Sequence, residues 1–226
     1  MSQIEIADIS KTYAIGDISI NAVDNVSLKI DKGDFVSIVG HSGSGKTTLL
    51  SIIGGIIGPT SGSVVYDGMD ICSLNDDKLS EYRSEKIGFM FQFASLLPIL
   101  TVKENVILPG LFSKKGLGDN IKKAEQYLDM VGIGDKADAY PSQLSGGQQR
   151  RVAIARALIN NPEVILADEP TGDLDEETEA EIMDLFKRLN REKRVTFIFI
   201  THNLDLARQA QRQVQMKNGL LNEVLL

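Results

Sequence analysis

The residues with the most chemistry in their spacing run from Gly40 to Thr47, Gly-His-Ser-Gly-Ser-Gly-Lys-Thr. An apolar run (Phe35, Val36, Ile38, Val39) precedes them, and Leu49, Ile52, Ile53 and Ile56 recur at helical spacing after them. Strand, glycine-rich loop and helix start in that order make an anion trap. Glycines let backbone N–H groups turn inward around phosphate oxygens, and the unpaired N–H groups of the helix start add their partial charge. Lys46 supplies a full charge for the β- and γ-phosphates, and the Thr47 hydroxyl can ligate Mg²⁺. The loop, Gly40, His41, Ser42, Gly43, Ser44 and Gly45 with Lys46, Thr47 and Thr48, is therefore expected to bind a nucleotide, the His41 side chain being a bystander. A glycine turn with an exposed lysine is the plainer alternative, and the correct flanks on both sides disfavour it.

Further along, Val164-Ile-Leu-Ala167 is a continuous apolar run that ends in Asp168 and Glu169. Such runs suit parallel strands covered on both faces, and ligands bind beyond the carboxyl ends of those strands. Two adjacent carboxylates repel one another unless a cation or a proton-transfer task keeps them. Asp168 is assigned to Mg²⁺, and Glu169 to orienting and partly deprotonating an attacking water, which is typically worth about 10²–10⁴ in rate. His202 closes another apolar run, Val195 to Ile200. Lone histidines are usually structural, but this position could reach a γ-phosphate or the attacking water. Leu144-Ser-Gly-Gly-Gln148 leads into a helical stripe and offers N–H groups and a hydroxyl, either as a second anion site or as a flexible helix cap.

Composition bounds the rest. The 226 residues suffice for a substantial core, and 42% hydrophobic with 24% charged residues is ordinary for a soluble globular chain. No apolar run is long enough to span a bilayer. The N-terminus carries acids where a signal peptide would be apolar, so a cytoplasmic location is expected. One cysteine, Cys72, rules out an internal disulfide and multi-cysteine metal clusters. A net charge of -7 argues against nucleic acid as a partner.

The elements that must hold these groups follow from pattern. Ile4, Ile6 and Ile9, then Val26, Leu28 and Ile30, suggest antiparallel strands with one wet face, joined by a polar connection that contains Tyr13, Gly16 and Asp17. The first helix is expected over Thr48–Ile57, stopping at Gly58-Pro59. Val64 to Tyr66 runs into a hairpin turn at Asp67-Gly68, and Ile87 to Phe91 is a strand ending at Gln92. Polar residues from Ser73 to Ser84 carry no clear pattern. Between Ala94 and Pro162 strand signals fade, and helical stripes cover Asn120–Val131 and Gln148–Ile159. Ile182, Leu185, Phe186 and Leu189 mark a later helix, and Asn218-Gly219 a closing hairpin. This predicts an α/β core with an α-helical insertion.

With those motifs in order along nearly the whole chain, the sequence resembles the ATP-binding subunits of ABC transporters. Leu144–Gln148 is similar to the family's signature, Gly40–Thr47 to its phosphate loop, and Val164–Glu169 to its acidic strand. Gln92 and His202 match its switch glutamine and switch histidine. Thr171-Gly-Asp-Leu-Asp175 matches the loop after the catalytic glutamate, and Tyr13 falls at the adenine-stacking aromatic. The resemblance implies a P-loop (RecA-like), mostly parallel core sheet with an N-terminal antiparallel β subdomain. It implies one domain over 1–226, with a nucleotide-binding core of 1–92 and 163–226 and a helical subdomain of 93–162. ATP and Mg²⁺ are the implied ligands. Thr47, Gln92 and Asp168 would serve the metal, Glu169 would act as base, and Lys46 and His202 would serve the γ-phosphate. Ser145, Gly146, Gly147 and Gln148 would cap the nucleotide of a second copy in a head-to-tail homodimer. An integral membrane permease on a separate chain would dock beside Gln92, so the chain would sit peripherally on the cytoplasmic face of the membrane. Gly88 to Pro109 and Tyr140-Pro-Ser-Gln look like the lipoprotein-release, macrolide-export and antimicrobial-peptide-resistance subgroup. His41, Asp173 and Asn203 depart from the usual proline, asparagine and aspartate. An importer ATPase and a non-transport ABC ATPase of cell division or cofactor assembly are the alternatives; a P-loop kinase would leave Leu144–Gln148 unexplained.

Overall fold

In the computed structural model residues 2–16, 18–112, 117–172 and 174–224 are described; Asp173 lies outside them. Alternation dictates the N-terminal layer. Strand β1 (Ser2–Ile15) pairs antiparallel with β2 (Ile18–Asp31), and on its other edge with β4 (Ser61–Tyr66), which turns through Asp67-Gly68 into β5 (Met69–Asp70). Ile4, Ile6 and Ile9 face inward with Val26, Leu28 and Ile30; the two-residue period holds along β2, and in β1 a register shift between Ile6 and Ile9 brings Ile9 back to the buried face. The hairpin runs further than its apolar pattern. Tyr13 is not in a polar connection but within β1, opposite Ile20. Near its tip the hairpin is exposed on both faces, with Ile18, Ile20 and Tyr13 all in solvent, so no hydrophobic period marks it.

The second sheet has the order β10-β9-β3-β8-β7-β6. Its central strands, β3 (Phe35–Val39), β8 (Thr196–Thr201), β7 (Val164–Asp168) and β6 (Ile87–Met90), all run parallel. The strand β9 (Arg212–Lys217) joins β3 in parallel, and β10 (Leu220–Val224) returns antiparallel through Asn218-Gly219. Both turn residues have positive φ, +50° and +81°, as a tight hairpin of this type needs.

Strand parity divides the core in two. Phe35, Phe197, Phe199, Ile165 and Ala167 point to one face, while Val36, Ile38, Ile198, Ile200, Val164 and Leu166 point to the other. The second face packs on the antiparallel sheet and on helix α1 (Lys46–Ile53). The first carries α3 (Val102–Ile107), α4 (Leu117–Met130), α5 (Gly146–Leu158) and α6 (Glu176–Lys193). Helix α1 is shorter than its apolar spacing predicts. It ends at Gly54-Gly55, with Gly55 at φ +64°, rather than at Gly58-Pro59. The unpatterned stretch before β6 contains α2 (Asp76–Glu85), capped by Asn75 and held to the core by buried Tyr82, whose hydroxyl donates to the Ile53 carbonyl at 2.9 Å. A four-residue helix α7 (Leu204–Ala207) follows His202, capped by the Asn203 carboxamide.

Candidate nucleotide site

Register brings the chemistry together. Val39 pairs with Thr201, Asp168 with Ile200, and Met90 with Ala167, so β3, β8, β7 and β6 end at one level. Each delivers a predicted group beyond its carboxyl end: the 40–47 loop, His202, Asp168 with Glu169, and Gln92. Residues 40–48 together with those four groups line one open cleft of about 970 Å³.

The loop is shaped for an anion. Gly45 sits at φ +104° as the N-terminal flank of α1, and no side chain caps that helix start. A Cβ at Gly45 would lie 1.9 Å from the Ala22 carbonyl oxygen, and one at Gly40 would lie 2.2 Å from the Met216 carbonyl oxygen, so both must stay glycine. The Ser44 hydroxyl is buried without a hydrogen-bond partner. Unpaired donors at a helix start and an orphaned hydroxyl fit a bound phosphate. Lys46 donates to the carbonyls of Gly40 (2.8 Å) and His41 (2.9 Å), which folds its ammonium back over the loop. Burial pulls its pKa below the ordinary lysine value, against the opposing charges of Glu169 and Asp168.

Beside the loop, the Thr47 hydroxyl donates to Asp168 Oδ2 at 2.8 Å. Burial raises the Asp168 pKa, and the Glu169 charge adds to the rise; the Thr47 hydrogen bond and Lys46 act in the opposite sense. An oxygen pair of this kind suits a hard divalent cation, which would favour the charged form of Asp168. Glu169 has φ +48°, a left-handed backbone that costs a non-glycine residue about 1–3 kcal/mol. Its amide donates to the Ile200 carbonyl, which ties this turn to the end of β8. Both carboxylate oxygens lie 3.0 Å from His202 Nδ1. The imidazole is 75% exposed and the carboxylate 16%. The histidine thus stands at the mouth of the cleft and the acid within it.

Other predicted residues stand elsewhere. Tyr13 is exposed on β1, outside the cleft lining, with the Lys11 ammonium 5.4 Å from its ring centre. Ser145 to Gln148 are also absent from that lining. Ser145 caps α5: its hydroxyl accepts from the Gln148 amide at 3.3 Å, and the Gln148 side chain accepts from the Ser145 amide at 3.0 Å. Ser145 and Gly146 face solvent. Sequence reasoning missed Glu179, which lines the cleft from α6, and Arg150, whose guanidinium reaches the backbone of Gln92. Nothing in a sequence pattern marks an arginine that binds carbonyls.

The cleft can hold a polyphosphate by main-chain donors, seat a cation between Thr47 and Asp168, and present a carboxylate to a water. That is nucleoside-triphosphate hydrolysis on a P-loop fold. The ABC transporter family model matches residues 23–172. The chain is 47% identical to the macrolide export ATP-binding/permease protein MacB of Syntrophobacter fumaroxidans, over 98% of this chain and 31% of that protein. It is also 47% identical to the ABC transporter ATP-binding protein MJ0796 of Methanocaldococcus jannaschii, over 96% of this chain and 94% of that one. It spans about a third of the length of the MacB relatives. A solved dimer of the MJ0796 cassette, in a post-hydrolysis state with ADP and phosphate, matches at TM-score 0.92 and 45% identity, covering 98% and 97% of the two chains. The chain belongs to the ABC transporter family, and it is an ATPase of that family. Among the described residues no helix is long and apolar enough to cross a membrane.

Proposed function

We propose that this chain is the ATPase subunit of an export or mechanotransmission ABC transporter, driving a separately encoded permease by closing head to tail on a second copy. The observation that carries this reading is the placement of Ser145 and Gly146. They are exposed at the start of α5 and outside the cleft of their own chain; the Ser145 amide is engaged by Gln148, so the Ser145 hydroxyl proton and the Gly146 N–H are the donors offered to a nucleotide held by another copy. The dimeric ADP-bound state of the MJ0796 cassette supports it, as does the identity to the MacB relatives.

In this reading the 40–48 backbone and Lys46 hold the phosphates. Thr47, Asp168 and Gln92 would hold Mg²⁺, which neutralises charge on the β- and γ-phosphates when bound. Glu169 takes a proton from water, His202 stands against the γ-phosphate, and Tyr13 stacks on the base. The permease seats on a groove of about 330 Å³ lined by Phe89, Phe91, Pro109, Phe112 and Arg83. Phe91 and Phe112 are exposed there. Contiguous exposed apolar surface of this kind marks an interaction site. Domain limits of 1–92 with 163–226, and 93–162, follow the same reading.

The test is to purify the tagged full chain from detergent-solubilised membranes of its host and identify what accompanies it. A stoichiometric permease with few spans and a large extracytoplasmic domain supports the proposal and leads to the substrate. A many-span permease with a separate binding protein points to import. Recovery with soluble partners alone refutes the transport reading.

A further inference from the structure

The guanidinium of Arg150 lies on α5, five residues beyond Ser145, and is largely buried. Its Nη1 donates to the carbonyls of Phe91 (3.1 Å) and Gln92 (2.5 Å), and its Nη2 to the carbonyl of Gly172 (3.2 Å). One side chain therefore grips two segments of the cleft wall at once: the segment that carries Gln92 and the turn that follows Glu169. A second arginine of the same helix, Arg156, donates to the carbonyls of Ala94 (2.7 Å) and Ser95 (2.8 Å), so residues 91–95 hang along α5 from two guanidinium groups. Arg151 reaches the opposite way, to the Val131 carbonyl at 2.9 Å and to Glu181 of α6. Burying a guanidinium on three carbonyls is costly unless each bond is kept, because a buried charge needs its partners. A planar fork with several donors can span such carbonyls, whereas a lysine ammonium is a point charge that satisfies only part of them.

We propose that Arg150 is a positioning residue for hydrolysis, which sets Gln92 and Gly172 against the nucleotide so that turnover depends on how α5 is seated. Among the described residues it acts through the backbone carbonyls of Phe91, Gln92 and Gly172. Because α5 also presents Ser145 about one and a half turns earlier, the helix that would meet a partner's nucleotide also shapes the cleft of its own chain. The inference rests on the proposed Mg²⁺ role of Gln92.

The experiment uses the full chain with Arg150→Lys, Arg150→Gln, Gln92→Ala and the double variant Arg150→Lys/Gln92→Ala. Nucleotide affinity is read with a fluorescent ATP analogue, kcat and KM by phosphate release, and the Mg²⁺ requirement by titrating the metal at fixed ATP. Arg150→Lys is expected to hold nucleotide within about 2-fold and to lose about 10- to 100-fold in kcat, the scale of a misplacement near 1 Å. Its half-maximal Mg²⁺ concentration rises, and the double variant loses clearly less than the product of the two single losses, the remainder coming from the Gly172 contact. Arg150→Gln, with a single amide, falls further. If Gln92→Ala loses turnover while Arg150→Lys keeps its kcat and Mg²⁺ dependence, Arg150 is not a positioning residue and the role of Gln92 stands. If Gln92→Ala is silent while Arg150→Lys is slow, both the metal role and this route through Gln92 are refuted. Losses that multiply in the double variant, or an Arg150→Lys protein that only melts earlier with an unaltered Mg²⁺ profile, assign Arg150 to stability alone and overturn the proposal.

Discussion

Replacing Glu169 by Gln changes the cleft in two calculable ways. Size and shape are kept, and the amide oxygen can still accept from His202 at the 3.0 Å contact, so the turn at φ +48° has no new strain to absorb. The capacity to take a proton from water is lost. At 10²–10⁴ for a general base, and about 1.4 kcal/mol for each factor of ten, that raises the barrier by about 3–5 kcal/mol. One negative charge also leaves a wall that faces phosphates. Glu169 pushes the Asp168 pKa up and the Lys46 pKa up, so its removal lowers both. Nucleotide affinity should hold or rise while turnover falls at least about 100-fold. Single-turnover phosphate release measures the first effect, and sedimentation velocity with ATP shows whether the stalled protein accumulates as a dimer. A variant that keeps turnover within about 10-fold of the parent refutes Glu169 as the base, because no general base of ordinary strength could be dispensed with so cheaply.

Three other perturbations test the scaffold. Gly45→Ala places a Cβ 1.9 Å from the Ala22 oxygen at φ +104°, whereas Gly43→Ala, at φ +76°, meets open space; equilibrium dialysis should show nucleotide binding lost in the first, and melting should show a cost of only about 1 kcal/mol in the second. Burial alone would raise the Glu163 pKa, but hydrogen bonds from Lys86 (2.6 Å) and Lys32 hold it below the ordinary value. A depressed folded pKa stabilises above the unfolded value near 4.5, and that contribution disappears as pH falls through the folded value. Glu163→Gln should therefore cost up to about 1 kcal/mol in urea titrations at pH 7 and approach zero in acid, since the pair is partly exposed. Tyr82→Phe strands the Ile53 carbonyl in the core and should cost about 1–3 kcal/mol by the same titration at pH 7.

Much of the site could be read in advance because each group follows an apolar strand. The 40–47 loop, Asp168 with Glu169, and His202 all stand directly beyond five- or six-residue runs that are buried on both faces. Such runs announce parallel strands, and parallel strands point their carboxyl ends the same way. Local signals failed where packing, not period, decides the element. Helix α2 presents Tyr82 as its buried residue, so its sequence carries no stripe. Helix α3 has six residues and depends on the Thr101–Glu104 capping box. The hairpin tip holds its ladder without burying a face. Arg150 was invisible for a different reason: its acceptors are backbone carbonyls 58 and 22 residues away, and a carbonyl has no residue type to recognise.

In the proposed dimer, charge accounts for what the cleft of one chain leaves to its partner. Among the described residues its lining brings one lysine, Lys46, against three carboxylates, Asp168, Glu169 and Glu179. Lys46 already spends donors on the Gly40 and His41 carbonyls. A polyanion entering this wall meets net repulsion that main-chain donors of the 40–48 loop can offset at one end alone. A divalent cation at Thr47 and Asp168 reverses the sign locally, and it also recovers the cost of keeping Asp168 ionised in a buried position. In the proposed reading His202 alone of the described side chains faces the outer side of the γ-phosphate. The proposed dimer supplies further donors from Ser145 and the start of α5, whose N–H groups carry partial positive charge without adding a titratable group. In such an arrangement the affinity between two copies depends on the γ-phosphate being present, and hydrolysis at Glu169 removes the group that joins them. The acidic cleft is then what makes the closure reversible: it repels the nucleotide once the donors that outweighed it have let go.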